Sequence, residues 1–255
     1  MKSKFSFSVL ILFLIFEINS CATGVQSRNL LFRNNEFAIY SVKRENIKLK
    51  SEKALEQSFA HPIEISEDKI LDILGNIRYK QESSYGNLLL YVFEEAEIKD
   101  FSADLMDGLR KVKPDQMLLI VSKYNPVKSV VSHYVRTGFY IWATENTIEI
   151  LVGEIQSEIA FDEQGNYYDW SKIPDISFDH TPETNFILPH TGFAFKEVDG
   201  FRNRRWLVFS KKDLSKLKFE KRKVKSAKEV ITSVDSDLIP EKKINRDEDD
   251  AVLPD

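Results

Sequence analysis

The chain has 255 residues, with 36 Lys and Arg against 40 Asp and Glu, for a net charge of −4 at pH 7. That weakly acidic balance gives no general support to nucleic-acid binding, and a single cysteine rules out an internal disulfide. With 18 Phe and only 9 Gly, the composition excludes a low-complexity protein and describes a packed globular one.

The chain opens on an export segment. Lys2 and Lys4 are followed by an apolar run from Phe5 to Phe16, then by Glu17-Ile18-Asn19-Ser20 and the only cysteine, Cys21. The run covers 12 residues. A membrane span takes about 20 apolar residues, so the run reads as the core of a signal peptide. Ile18-Asn19-Ser20-Cys21 resembles a bacterial lipobox: a branched apolar residue, a small residue, then cysteine. With Asn19 and the nearby Glu17, it is similar to the permissive lipoboxes of spirochaete lipoproteins. The resemblance covers about 21 residues and implies cleavage before Cys21, acylation of Cys21 and an outer-membrane location. The alternatives are an ordinary signal peptide cut near Ala22-Thr23, which discards Cys21, and a cytosolic or uncleaved chain.

Residues 21–34 read as the lipidated cysteine and a polar tether. Phe37 to Val42 is the first expected strand. His61 to Ile65 alternates and contains Pro62, which suits an edge strand. Ser66 is a good N-cap, with Glu67 and Asp68 in the first turn, where the helix dipole favours negative charge. Ile70, Leu71, Ile73, Leu74 and Ile77 then form one helical face. Leu88 to Phe93 reads as a buried strand. A second helix is expected over Lys99–Lys113, with a stripe of Phe101, Leu105, Met106, Leu109 and Val112, ended by Pro114. Met117 to Val121 is the next buried strand.

A β-meander follows. From Val131 the alternate residues through His133, Val135, Thr137, Phe139, Ile141 and Ala143 share a face. A turn at Thr144 to Thr147 sets Ala143 against Ile148, Ile141 against Ile150 and Phe139 against Val152, which leaves Tyr140, Trp142, Glu149 and Leu151 facing outward. The apolar parity switches after Gly153, which marks a bend there. Residues 161–189 read as an irregular surface excursion. Asp199-Gly200 is a two-residue hairpin turn. It pairs Val198 with Phe201, Glu197 with Arg202, Phe195 with Arg204, and Phe193 with Trp206. Lys211 to Lys228 carries nine basic and two acidic residues and reads as a charged helix, while Glu229 to Asp255 carries nine acidic and three basic and reads as disordered past Ser233.

The expected architecture is therefore α+β: an antiparallel or mixed sheet with a C-terminal meander and hairpins, packed by two or three helices. The divisions are 1–20 signal peptide, 21–34 tether, 35–217 one globular domain, and 218–255 charged helix and acidic tail.

No nucleophile elbow, Walker loop or dinucleotide fingerprint is present. His61, His133, His180 and His190 have no metal-ligand spacing, and His133 suits a hydrogen-bonded core position. His180 and His190 are close enough to share a loop pocket with Asp179 and Glu183. The acidic series Glu94, Glu95, Glu97, Asp100, Asp104 and Asp107, like Asp162 to Asn166, lacks the ligand pattern of a calcium loop and reads as solvated. No metal and no cofactor is expected.

Arg202, Arg204 and Arg205 beside Trp206 are the candidate contact patch. Arginine binds phosphate and carboxylate through paired hydrogen bonds, and aromatic rings add stacking. The expected partners are the membrane through the N-terminal lipid, and an envelope protein, anionic lipid or glycan. The basic stretch after Lys211 is a further candidate for anionic headgroups. The expected role is a lipid-anchored envelope protein with a binding, scaffolding or maintenance role. The alternative is an envelope hydrolase using carboxylates or histidines of the 160–190 region.

Overall fold

The computed structural model describes residues 28–47, 49, 55–83, 86–125, 134–159, 176–178 and 185–222. Cys21, Val131, His133, Asp162 to Asn166, Asp179, His180, Glu183 and the tail past Ser233 lie outside them. The elements run β1 (Arg28–Arg33), β2 (Phe37–Lys43), α1 (Glu67–Leu74), β3 (Arg78–Ser83), β4 (Gly86–Tyr91), α2 (Glu95–Lys111) and β5 (Gln116–Tyr124). They continue with β6 (Val135–Ala143), β7 (Thr147–Val152), β8 (Ser157–Glu158), β9 (Ala194–Val198) and β10 (Phe201–Ser210).

One antiparallel sheet carries the order β1-β2-β5-β6-β7-β10-β9, with β8 on β6, and β3-β4 form a separate ribbon. The α+β class is therefore observed. The meander register is as expected: Ala143 faces Ile148, Ile141 faces Ile150 and Phe139 faces Val152.

The two helices lie on one face of the sheet. Ile70, Ile73 and Leu74 of α1 and Phe101, Leu105 and Leu109 of α2 join Ile39, Leu118, Ile120, Phe139, Ile141 and Ile150 in one core. Ser66 caps α1 by accepting the Lys69 N–H at 3.3 Å. The second helix starts ahead of Lys99, because Glu94 and Glu97 form a capping box that satisfies the first turn. It stops at Lys111, short of Pro114.

The opposite face is a correction. Tyr140, Trp142 and Leu151 do not face water. They join Ala38, Tyr40, Leu119 and Trp206 in a second core, covered by Ile47, Leu55, Phe59, Ile176 and Phe178. Both alternating sets in β6 and β7 are apolar, so the sheet buries both faces. Each large ring buried there removes roughly 150–250 Å² from water.

Three further expectations change. His61 to Ile65 forms no strand; the Ala60 N–H bonds the Ala143 carbonyl and the His61 imidazole accepts the Ala143 N–H, so the segment closes the end of β6. Leu88 to Leu90 are half-buried in the β3-β4 ribbon, with Leu90 packed against the core, and the fully buried members, Val92 and Phe93, lie beyond it. Residues 211–222 form turns and then an extended strap along α1 in place of a charged helix. Phe219 N–H donates to Asp72 at 2.7 Å, and Asn76 bonds the Lys218 carbonyl at 2.7 Å and the Glu220 N–H at 3.0 Å. The Arg222 guanidinium closes the strap on the carbonyls of Gly75 and Phe93 and on Glu94. The packed domain thus runs past Leu217 to at least Arg222.

Candidate functional site

The candidate patch is built by an irregularity in β10. Asp199 and Gly200 both have positive φ, 50° and 82°, the conformation of a type I′ turn. Val198 pairs with Phe201 and Glu197 with Arg202, as expected. The register then shifts between Asn203 and Leu207, so that Phe195 faces Leu207. Arg204, Arg205 and Trp206 therefore fall between paired positions, and neither Phe195–Arg204 nor Phe193–Trp206 forms. The Asn203 side chain stabilises the detour by accepting the Arg205 N–H at 2.9 Å. The excursion lets two large side chains turn inward, which a regular ladder would not.

Trp206 is one of them, and its place in an exposed patch is corrected. Its side chain is fully buried, and its indole N–H donates to Glu149 at 2.7 Å. Glu149 also accepts from the Thr147 hydroxyl at 3.2 Å and pairs with Lys196 at 3.6 Å. These partners satisfy a buried carboxylate that has no other access to water. Arg205 is the second. It donates to the Gly153 carbonyl, and burial pulls its pKa down to about 10. Burial also pushes the neighbouring Tyr79 hydroxyl up to about 12, against the opposing pull of Arg205. Tyr79 bonds Gln156, whose amide holds the Tyr91 carbonyl at 2.9 Å.

Arg202 and Arg204 remain exposed. Arg202 pairs with Glu197 at 3.1 Å across the hairpin. Arg204 places its guanidinium 4.7 Å from the Phe186 ring centroid. Lys80 approaches the same ring at 5.9 Å. Phe186 is fixed there because its carbonyl accepts the Lys80 N–H and the next N–H, of Ile187, donates to the Arg204 carbonyl. Arg204 has no carboxylate partner among the described residues. Phe201, at the hairpin tip three residues earlier in β10, is 79% exposed. A stacked guanidinium keeps its in-plane N–H groups directed at solvent, so the arrangement can take a carboxylate, phosphate or sulfate in paired hydrogen bonds.

The strongly shifted acid and base lie elsewhere. Glu97 is 4% exposed; burial raises its carboxyl to about 7, against its bonds from Ser122 and the Glu94 N–H. It is therefore not a solvated member of the acidic series. Burial, with Lys211 nearby, lowers His61 to about 4. His190 stacks on Phe193, accepts the Gly192 N–H and lies 3.9 Å from Glu220. A surface groove of about 570 Å³ is lined by Glu64, Ser66, Glu67, Asp68, Met106 and Arg110, and none of the strongly shifted groups borders it. Among the described residues no three His, Cys, Asp or Glu are grouped to hold a metal.

Comparison with protein-family models, with curated proteins and with solved structures gives no match. Phe186, Phe201 and Lys80 escaped the sequence analysis. Phe186 lies far from Arg204 in sequence, and nothing local pairs them. Glu97 did carry a signal, because it stands three residues after Glu94 at a helix start.

Proposed function

We propose that this is a lipid-anchored envelope protein with a non-catalytic binding role. Its contact surface is Arg202 and Arg204 with Phe186 and the exposed Phe201. The reading is carried by Arg204, a guanidinium stacked on a fixed ring and exposed without a carboxylate partner among the described residues. Among the described residues the strongly shifted Glu97 and His61 occupy separate interior positions rather than the one shared cavity that general acid–base work requires. The anchor rests on the export segment and Cys21. The partner carries carboxylate, phosphate or sulfate groups, on an envelope protein, an anionic lipid or a glycan.

Labelled palmitate should enter the native chain and not Cys21→Ser; equal labelling would refute acylation there. Arg202→Gln with Arg204→Gln should keep the melting temperature within a few degrees, because exposed charge pairs contribute about 0–1 kcal/mol. The same change should abolish capture of the crosslinked envelope partner. Capture at the native level, with stability unchanged, would reduce the patch to a solvated hairpin end.

A further inference from the structure

We propose that the acidic run Asp247-Glu248-Asp249-Asp250 of this chain docks on the cationic face that ends in Arg204, and so competes with the anionic partner for the contact surface. This rests on the binding reading and adds a regulator to the same site. The face is built by register. Arg78 pairs with Tyr91 and Lys80 with Leu89 across the β3-β4 ribbon. On the other side of β3, Tyr79 bridges Ile187, the Leu188 N–H donates to the Arg78 carbonyl, and the Lys80 N–H donates to the Phe186 carbonyl. Alternate residues of a strand share a face, and so do residues directly opposed across a ladder. Tyr91, Arg78, Lys80 and Phe186 therefore stand on one side of a three-segment surface. Arg204 extends it from β10 by stacking on Phe186. Arg78 is half-buried and Arg204 exposed, and neither has a carboxylate partner among the described residues.

The course of the strap and the charge beyond it identify the occupant. The Arg222 guanidinium lies 3.9 Å from the Tyr91 ring centroid, so the strap ends against a ring of this same face. Phe186 stands two strand spacings across from Tyr91 and two residues along, about 12 Å at the usual separations. Asp247 follows Arg222 by 25 residues. That length can reach about 85 Å when extended, far more than the site requires, and a tethered group so near acts at a roughly millimolar effective concentration. Asp247-Glu248-Asp249-Asp250 is the longest acidic run in the sequence. The basic stretch nearer to it, residues 221–228, has one arginine, and Arg222 is already held by Glu94 and the carbonyls of Gly75 and Phe93. The rest of its cations are lysines, which are point charges. Arg204 instead presents a planar fork of donors that matches a carboxylate.

The test uses the mature chain, residues 21–255, carrying Cys21→Ser and Asn245→Cys, with a nitroxide on the new thiol and isotope-labelled backbone amides. The amide signals of Phe186 and Arg204 should lose at least three-fold more intensity than that of Arg44, which follows β2, four strand spacings from β10. Adding Arg78→Gln and Arg204→Gln should restore them. Ending the chain after Val234 should tighten binding of a fluorescent hexaglutamate peptide at least five-fold, and Arg204→Gln should cancel that gain. Intensity loss spread evenly over the domain, or confined to residues 218–222, overturns the proposal. So does an unchanged hexaglutamate affinity on truncation. Capture of the crosslinked envelope partner is scored separately. Its absence in the truncated chain, with the loss at Arg204 observed, refutes the partner reading and leaves the tail contact standing. Capture without that loss refutes the tail contact alone.

Discussion

Glu97→Gln should stabilise the protein at pH 8 by about 3 kcal/mol and leave it unchanged below pH 4.5. Glu97 is buried at the start of α2, where one carboxylate oxygen accepts from the Ser122 hydroxyl at 2.6 Å and the other from the Glu94 N–H at 3.0 Å. Burial outweighs both bonds and raises the folded pKa from 4.5 to about 7. Below pH 4.5 the group is neutral in both states and nothing is lost. Between 4.5 and 7 the folded protein holds a proton that the unfolded chain releases, so stability falls as pH rises. Above 7 a buried charge remains. Glutamine keeps the shape, retains an acceptor for the Glu94 N–H and carries no charge. Urea unfolding of both proteins from pH 4 to 8 measures the difference, and a constant offset across that range would show that Glu97 does not titrate as described.

His61 should act in the opposite direction. Its Nε2 accepts the Ala143 N–H at 3.2 Å, and protonation would destroy that acceptor. Burial and the Lys211 charge lower its folded pKa from 6.5 to about 4. As pH falls from 6.5 to 4 the unfolded state takes up a proton that the folded state refuses, so stability falls. His61→Gln keeps an acceptor and removes the titration. Relative to the native chain it should gain about 3 kcal/mol between pH 7 and pH 4, whatever its offset at neutrality. A difference curve that stays level through that interval would contradict the assignment. The two groups oppose each other between pH 4.5 and 6.5, so the native chain should show a nearly level contribution from them. Each single substitution should unmask the other residue's slope.

The local rules carried the fold a long way. Ser66 capped its helix, Asp199-Gly200 made its turn, and the β6-β7 register followed from three apolar pairs, because each is decided by neighbours in sequence. What escaped was decided at long range. Trp142 and Leu151 alternate with Ile141 and Ile150 as an outer face would, and only the chain returning at Phe59 and Phe178 shows that this face is also covered. The hairpin register held for the positions nearest the turn and failed at Arg204, where the shift accompanies the burial of Trp206 against Glu149. In the patch, Arg202 and Arg204 were legible as exposed strand charges. Phe186, which gives Arg204 its platform, was not, because the contact joins distant segments.

The strand order also determines how the domain would carry a load. β1 and β10 stand five strand spacings apart, about 24 Å at the usual separation. If the proposed anchor at Cys21 and a partner at Arg204 are both engaged, a pull between them runs across the strands, along the hydrogen-bonded rungs of the ladder. Rungs stressed in that direction open one after another, beginning where the chain is tethered. β1 is bonded on one side only, so it peels first and lengthens the tether while β2, β5, β6 and β7 stay joined. On that geometry the edge strand would act as a mechanical fuse, yielding before the double core is disturbed.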